Sequence, residues 1–173
     1  MDEDTLYQKL LNAAFRFVSY RPRSSQEIRD FLTEKLTKWK TSGESILEKV
    51  LDRLQELSYL DDAKFAAWWI EQRQRFRPKG WRIIKEELRL KGISRGILAE
   101  LEAEISGRCN RGRDSIDHLS DRETARRALA KKLKFWQKLP ILEQKKKIYA
   151  YLFRRGFDSD TIGSVIDEIL QRE

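Results

Sequence analysis

RPKGWRIIKEELRLKGISRGILAEL, running from Arg77 to Leu101, has fainter copies on both sides of it. Upstream, RPRSSQEIRDFLTEKL begins at Arg21. A shift of 56 residues lays Arg21, Pro22, Ile28, Leu32 and Lys35 on Arg77, Pro78, Ile84, Leu88 and Lys91. Downstream, IYAYLFRRGFDSDTIGSVI begins at Ile148. A shift of 64 lays Ile84, Leu88, Lys91 and Gly92 on Ile148, Leu152, Arg155 and Gly156. A short helical unit cannot bury its apolar face alone, so a repeat of this kind must stack on its own copies. It favours an extended surface over a single pocket.

Working outward, each copy reads as three helices. Leu6, Leu10, Ala13, Ala14 and Phe17 recur at helical spacing and predict a helix over 4–19, which Arg21-Pro22 stops. Ser24 with Glu27 makes an S-x-x-E capping box for a second helix bearing Ile28, Phe31, Leu32 and Leu36. After TKWKTSG, Ser45 with Glu48 makes another, for a third helix with Ile46, Leu47, Val50, Leu51 and Leu54. In the next copy Asp61 is the expected cap, with Leu60 and Phe65 as a staple and Asp62 favouring the helix dipole. That helix carries Phe65, Ala66, Trp69, Ile70 and Phe76 as expected core. Pro78 and Gly80 break it, Gly92 closes the following helix at 81–91, and Ser94 opens the third. Residues 107–122 have no apolar period and read as a mobile linker. Beyond it, Ala125, Leu129, Leu133 and Trp136 mark one helix, 142–155 a second ending at Gly156, and Asp158 caps the last. The expected fold is all-α: a tandem repeat of three three-helix modules in an elongated array. The expected divisions are 1–58, 59–106, the linker 107–122, and 123–173.

Only eight Gly and three Pro punctuate the 173 residues, too few for a fold built on many turns. The net charge of +8 is uneven: residues 1–60 balance, 61–106 carry +2 and 107–173 carry +6. Such an excess favours polyanionic partners. Two lines of cations stand out: Arg82, Lys85 and Arg89 opposite Trp81, Ile84 and Leu88, and Arg127, Lys131, Lys134 and Lys138 on the helix near 123–138. The first line is not repeated elsewhere. Gln26, Arg29 and Thr33 hold its place in the first copy, and Lys146, Tyr149 and Phe153 in the last. Trp69, Trp81 and Trp136 read as core, while Trp68 serves either packing or a partner surface.

No catalytic or metal-ligating constellation emerges. His118 is the single histidine and falls in the linker, and zinc sites need several Cys or His at set spacing. Asp61 and Asp62 are read as capping residues rather than metal ligands. Neither a phosphate loop nor a dinucleotide glycine pattern occurs. The expectation is a non-enzyme with no cofactor and no metal. Cys109 stands alone, which fits a reducing compartment. The acidic start MDEDTLYQKL lacks the apolar core of a signal peptide, and no run approaches the roughly 18 apolar residues of a membrane span. The expected location is the cytoplasm, and the expected state a monomer.

RPRSSQEI from Arg21, LQELSYLDDAKFA from Leu54 to Ala66, and RPKGWRIIKEELRLKGI from Arg77 to Ile93 together resemble the RecX family of bacterial recombination regulators. The match is close over residues 10–105 and looser beyond. The resemblance implies a curved array of three-helix modules. It implies binding to the RecA–DNA filament, and modulation, usually inhibition, of recombinase and coprotease activity. On it, Leu60, Asp61, Asp62 and Phe65 carry over as structural positions, and Lys79, Arg82, Lys85, Arg89 and Lys91 as filament contacts. TKWKTSG departs from the family's short K-G turn, so the second and third helices are expected to join differently there. The alternative to a filament regulator is a direct DNA- or RNA-binding helical repeat using the same cationic lines on single- or double-stranded phosphates.

Overall fold

The computed structural model describes residues 2–109 and 121–171. Among these residues the secondary structure is entirely helical: α1 (Glu3–Ser19), α2 (Ser25–Lys38), α3 (Glu44–Glu56), α4 (Asp62–Phe76), α5 (Trp81–Leu90), α6 (Arg95–Cys109), α7 (Asp121–Trp136), α8 (Ile141–Arg154) and α9 (Ser159–Leu170). The chain clusters into two compact units, Met1–Trp68 with Leu88–Leu98, and Trp69–Glu87 with Ala99–Glu173.

In the first unit the periodic apolar faces close on one core. Leu6, Leu10 and Ala14 of α1 meet Ile28, Leu32 and Leu36 of α2 and Ile46, Leu47, Val50, Leu51 and Leu54 of α3, and Leu60 joins them. Burying such a side chain contributes about 1.5–3 kcal/mol, which is what makes three short helices hold together. In the second unit α7, α8 and α9 do the same around Ala125, Leu129, Ile148, Leu152, Phe157, Ile162 and Val165.

Helix starts are capped where side chains allow it. Asp2, Ser24, Asp61, Ser94 and Asp158 accept from the backbone N–H three residues on, at 2.7–3.3 Å. Ser45 does not serve this way. Gly43 takes the capping position of α3 without a side-chain bond, and Glu48 pairs with Arg29 instead. Ser24 caps α2, but Glu27 turns outward to cations rather than back to the cap.

Helix ends repeat one geometry. After α2, α3, α5 and α8 the backbone N–H of Thr41, Tyr59, Ile93 and Phe157 reaches back to the carbonyl of Leu36, Leu54, Leu88 and Leu152. The residue before each, Lys40, Ser58, Gly92 and Gly156, has φ of 52°, 59°, 78° and 86°. This is the Schellman stop, in which a left-handed residue folds the chain back over the last turn. TKWKTSG therefore closes α2 as the glycine turns close α5 and α8, not by a different join. The first residue of Lys40-Thr41 simply takes the glycine's conformation.

The repeat's register also changes within a copy. α2 and α8 have 14 residues, and α5 has 10. The 56-residue shift lays the start of α2 on that of α5, while their closing turns are 52 apart. Four residues are close to one turn, so both registers keep the apolar face inward. Two other expectations change. Phe76 is 69% exposed rather than core, because it ends α4 and has Arg75 over its ring. The segment 107–122 is helical at both ends, with α6 reaching Cys109 and α7 starting at Asp121. The rest of that segment, His118 included, lies outside the described residues.

Candidate functional site

The R-P segments and the closing turns are structural partners of one another. In the first unit, Gly92 approaches the start of α2 so closely that a Cβ there would overlap Gln26. Beside it, Lys91 and Arg21 both bind the Glu27 carboxylate, Arg21 through two bonds of 3.1 and 3.2 Å. Burial pushes Glu27 up, but these two cations outweigh it and hold the carboxyl below its ordinary range. Asp62 reaches across 37 residues and accepts from Ser25 N–H at 2.8 Å, while Asp61 caps its own helix. Both aspartates are thus backbone acceptors at helix starts. Trp68 packs on Phe65, and Arg21 lies 5.9 Å over its ring.

The second unit repeats the arrangement. Gly156 lies against Ile83, with a Cβ there 2.7 Å from the Ile83 side chain, and a Cβ on Gly80 would overlap the Gly156 carbonyl. Gly80 N–H donates to Arg155 O at 2.9 Å, and Arg155 donates to Pro78 O at 3.0 Å. Arg82 donates to Phe153 O at 2.9 Å and lies 4.7 Å over the Phe153 ring. At the end of α8 the Arg155 carbonyl is therefore met by Gly80, and the Phe153 carbonyl, which also accepts from Gly156 N–H, takes a further bond from Arg82. Lys79, Arg73 and the Trp69 indole converge on Glu87. Burial raises that carboxyl, and the three donors together bring it below its usual range.

These contacts place the basic residues singled out in the sequence. Lys79 and Lys91 are partly buried in ion pairs with Glu87 and Glu27. Lys85 pairs with Glu102 at 2.6 Å, and Arg82 is tied to α8. Arg89 is exposed on α5. The line Arg82, Lys85, Arg89 is therefore partly spent on internal contacts. On α7, Arg127, Lys131 and Lys134 are all exposed, opposite the buried Thr124, Ala125, Ala128 and Leu129. Leu60 and Phe65 are buried, and Gly92 and Gly156 make the closing turns.

Sequence periodicity missed two things. Glu27 reads in the sequence only as half of a capping box, because Lys91 finds it from 64 residues away, and Glu87 carries no signal of its own. On α8, Tyr149 and Phe153 looked like a gap in a charged line. They are in fact stacked rings, 5.9 Å apart and inclined by 11°, each more than two-fifths exposed. Among the described residues no three His, Cys, Asp or Glu side chains gather as a metal site would require, and no helix is long and apolar enough to cross a membrane.

Residues 61–101 match the sequence profile described as RecX, second three-helix domain, and residues 120–166 that of RecX, third three-helix domain. The chain is 36% identical to regulatory protein RecX of Prosthecochloris aestuarii, over 98% of this chain and 97% of that one. It is 31% identical to regulatory protein RecX of Bacillus subtilis, over 94% of this chain but 55% of that longer one. The crystal structure of RecX from Lactobacillus salivarius superposes with a TM-score of 0.74, covering 95% and 97% of the two chains at 21% identity, a likeness of fold.

Proposed function

Because this chain belongs to the RecX family, we propose that it regulates the RecA recombinase by binding the RecA–DNA filament and restraining its strand exchange, ATP hydrolysis and coprotease activity. The observation that carries the reading is identity of 36% across 98% of the chain to a protein named as a regulator. The chain would act by occupancy, as a monomer in the cytoplasm, with no reaction and no cofactor of its own. The tied-down state of Lys79, Lys85 and Lys91 moves the proposed contact toward Arg127, Lys131 and Lys134 of α7, which are exposed in a region of strongly positive net charge.

The test is DNA-dependent ATP hydrolysis by the cognate RecA, titrated with the full chain. The rate should fall at or below stoichiometric amounts. A rate that stays constant over a wide titration, with strand exchange also unaffected, removes the proposal.

A further inference from the structure

We infer that the outer face of α8 binds single-stranded nucleic acid directly, by stacking unpaired bases on Tyr149 and Phe153. The helix buries Gln144, Ile148 and Leu152. A neighbouring line, Leu142, Lys146, Tyr149 and Phe153, stays in solvent at spacings of four, three and four residues, which keeps it on one face. Leu142 is 74% exposed, Tyr149 42% and Phe153 44%. An aliphatic and two aromatic side chains left together in water are costly unless something covers them.

Charge and ring geometry say what that is. Lys146 belongs to the line, Lys145 is exposed beside it, and Arg82 lies over the Phe153 ring. The Tyr149 and Phe153 rings are nearly parallel, and the Tyr149 hydroxyl is tethered to Ser159 Oγ at 3.1 Å. A guanidinium and two nearly parallel, exposed rings thus lie together with cations alongside. A base can stack on such rings through its π-face while lysines take the flanking phosphates. Duplex DNA offers the phosphates but keeps its base faces stacked internally. A polyglutamate chain offers the charge without flat rings. Single strands supply both. This contact needs no RecA, so it stands or falls separately from the regulatory reading.

Fluorescence anisotropy of labelled oligo(dT) with the full chain, in the absence of RecA, tests it. Oligo(dT) should bind more tightly than duplex of equal length or polyglutamate at the same salt. The double variant Y149A/F153A should weaken oligo(dT) binding about tenfold or more, with the salt dependence unchanged. K145A/K146A should weaken it and flatten the slope of log affinity against log salt by roughly one. If the alanine variant loses far-UV helicity, Y149L/F153L keeps apolar bulk without a π-face and should show the same loss. Wild-type affinity in the leucine variant, or equal binding of polyglutamate or duplex, overturns the inference, as does the absence of oligo(dT) binding at low salt. None of these results bears on RecA ATPase inhibition, which is measured apart.

Discussion

Lys40 and Ser58 hold left-handed backbone, with φ of 52° and 59°, at turns where Gly92 and Gly156 do the same work elsewhere. A Cβ in that region costs about 1 kcal/mol, and glycine's greater freedom in the unfolded chain returns only part of it. Lys40→Gly and Ser58→Gly should each stabilise the protein by about 0.5–1 kcal/mol, read as a rise in the urea midpoint at unchanged slope. A lower midpoint would mean that the lysine or serine side chain contributes more than its backbone strain costs. Gly92→Ala should move the other way. It adds the same strain and also drives a methyl into Gln26, so a loss of about 1–3 kcal/mol is expected. This residue-scale detail was half legible. Gly92 and Gly156 announced their turns, whereas nothing in TKWKTSG says which residue will take positive φ.

At the scale of the helix, the two cationic lines differ in what they do. Lys85→Glu would set a carboxylate against Glu102, and Arg82→Glu would remove the guanidinium that meets the Phe153 carbonyl. Reversing Arg82, Lys85 and Arg89 together should therefore lower the melting temperature, by an amount equivalent to about 1–3 kcal/mol. Reversing Arg127, Lys131 and Lys134 touches exposed positions, each worth under about 0.5 kcal/mol to stability. It should leave the melt nearly unchanged and abolish the effect on RecA ATP hydrolysis. If the α7 variant still inhibits, the filament contact lies on another face. Helix existence was plain in the sequence because apolar residues recur at 3.6 across every core. What a solvent-side cation pairs with was not, since that depends on which distant helix lies beside it.

For the molecule as a whole, acid titration should reveal opposing carboxyl groups. Glu27 and Glu87 are held below their ordinary range, so their contribution is present above about pH 4.5 and is lost as pH falls through their folded values. Asp121 is the reverse case. Burial, with the nearby Asp158 carboxylate second, pushes it up to about 6, so the folded state is favoured as pH drops through that value. The melting temperature should therefore peak between about pH 4.5 and 6 and decline on either side. Asp121→Asn should raise the melting temperature at pH 7.5 and erase the rise between pH 7.5 and 5.5, measured by scanning calorimetry. The tandem three-helix plan was readable from the repeated phrase, but these carboxyl environments were not, because burial is a property of the assembled core. The shorter α5 has a consequence for how such chains change length over generations. Losing or gaining residues by the turn preserves which side of a helix is wetted, while losing two rotates everything downstream by about 200°. Removing Thr33–Leu36 from α2 should leave a cooperative, if less stable, unfolding transition, because Ile28, Leu32 and the stop then stand as Ile84, Leu88 and theirs do in α5. Removing only Thr33 and Glu34 should abolish that transition, so insertions and deletions tolerated in these helices should come in steps of a turn.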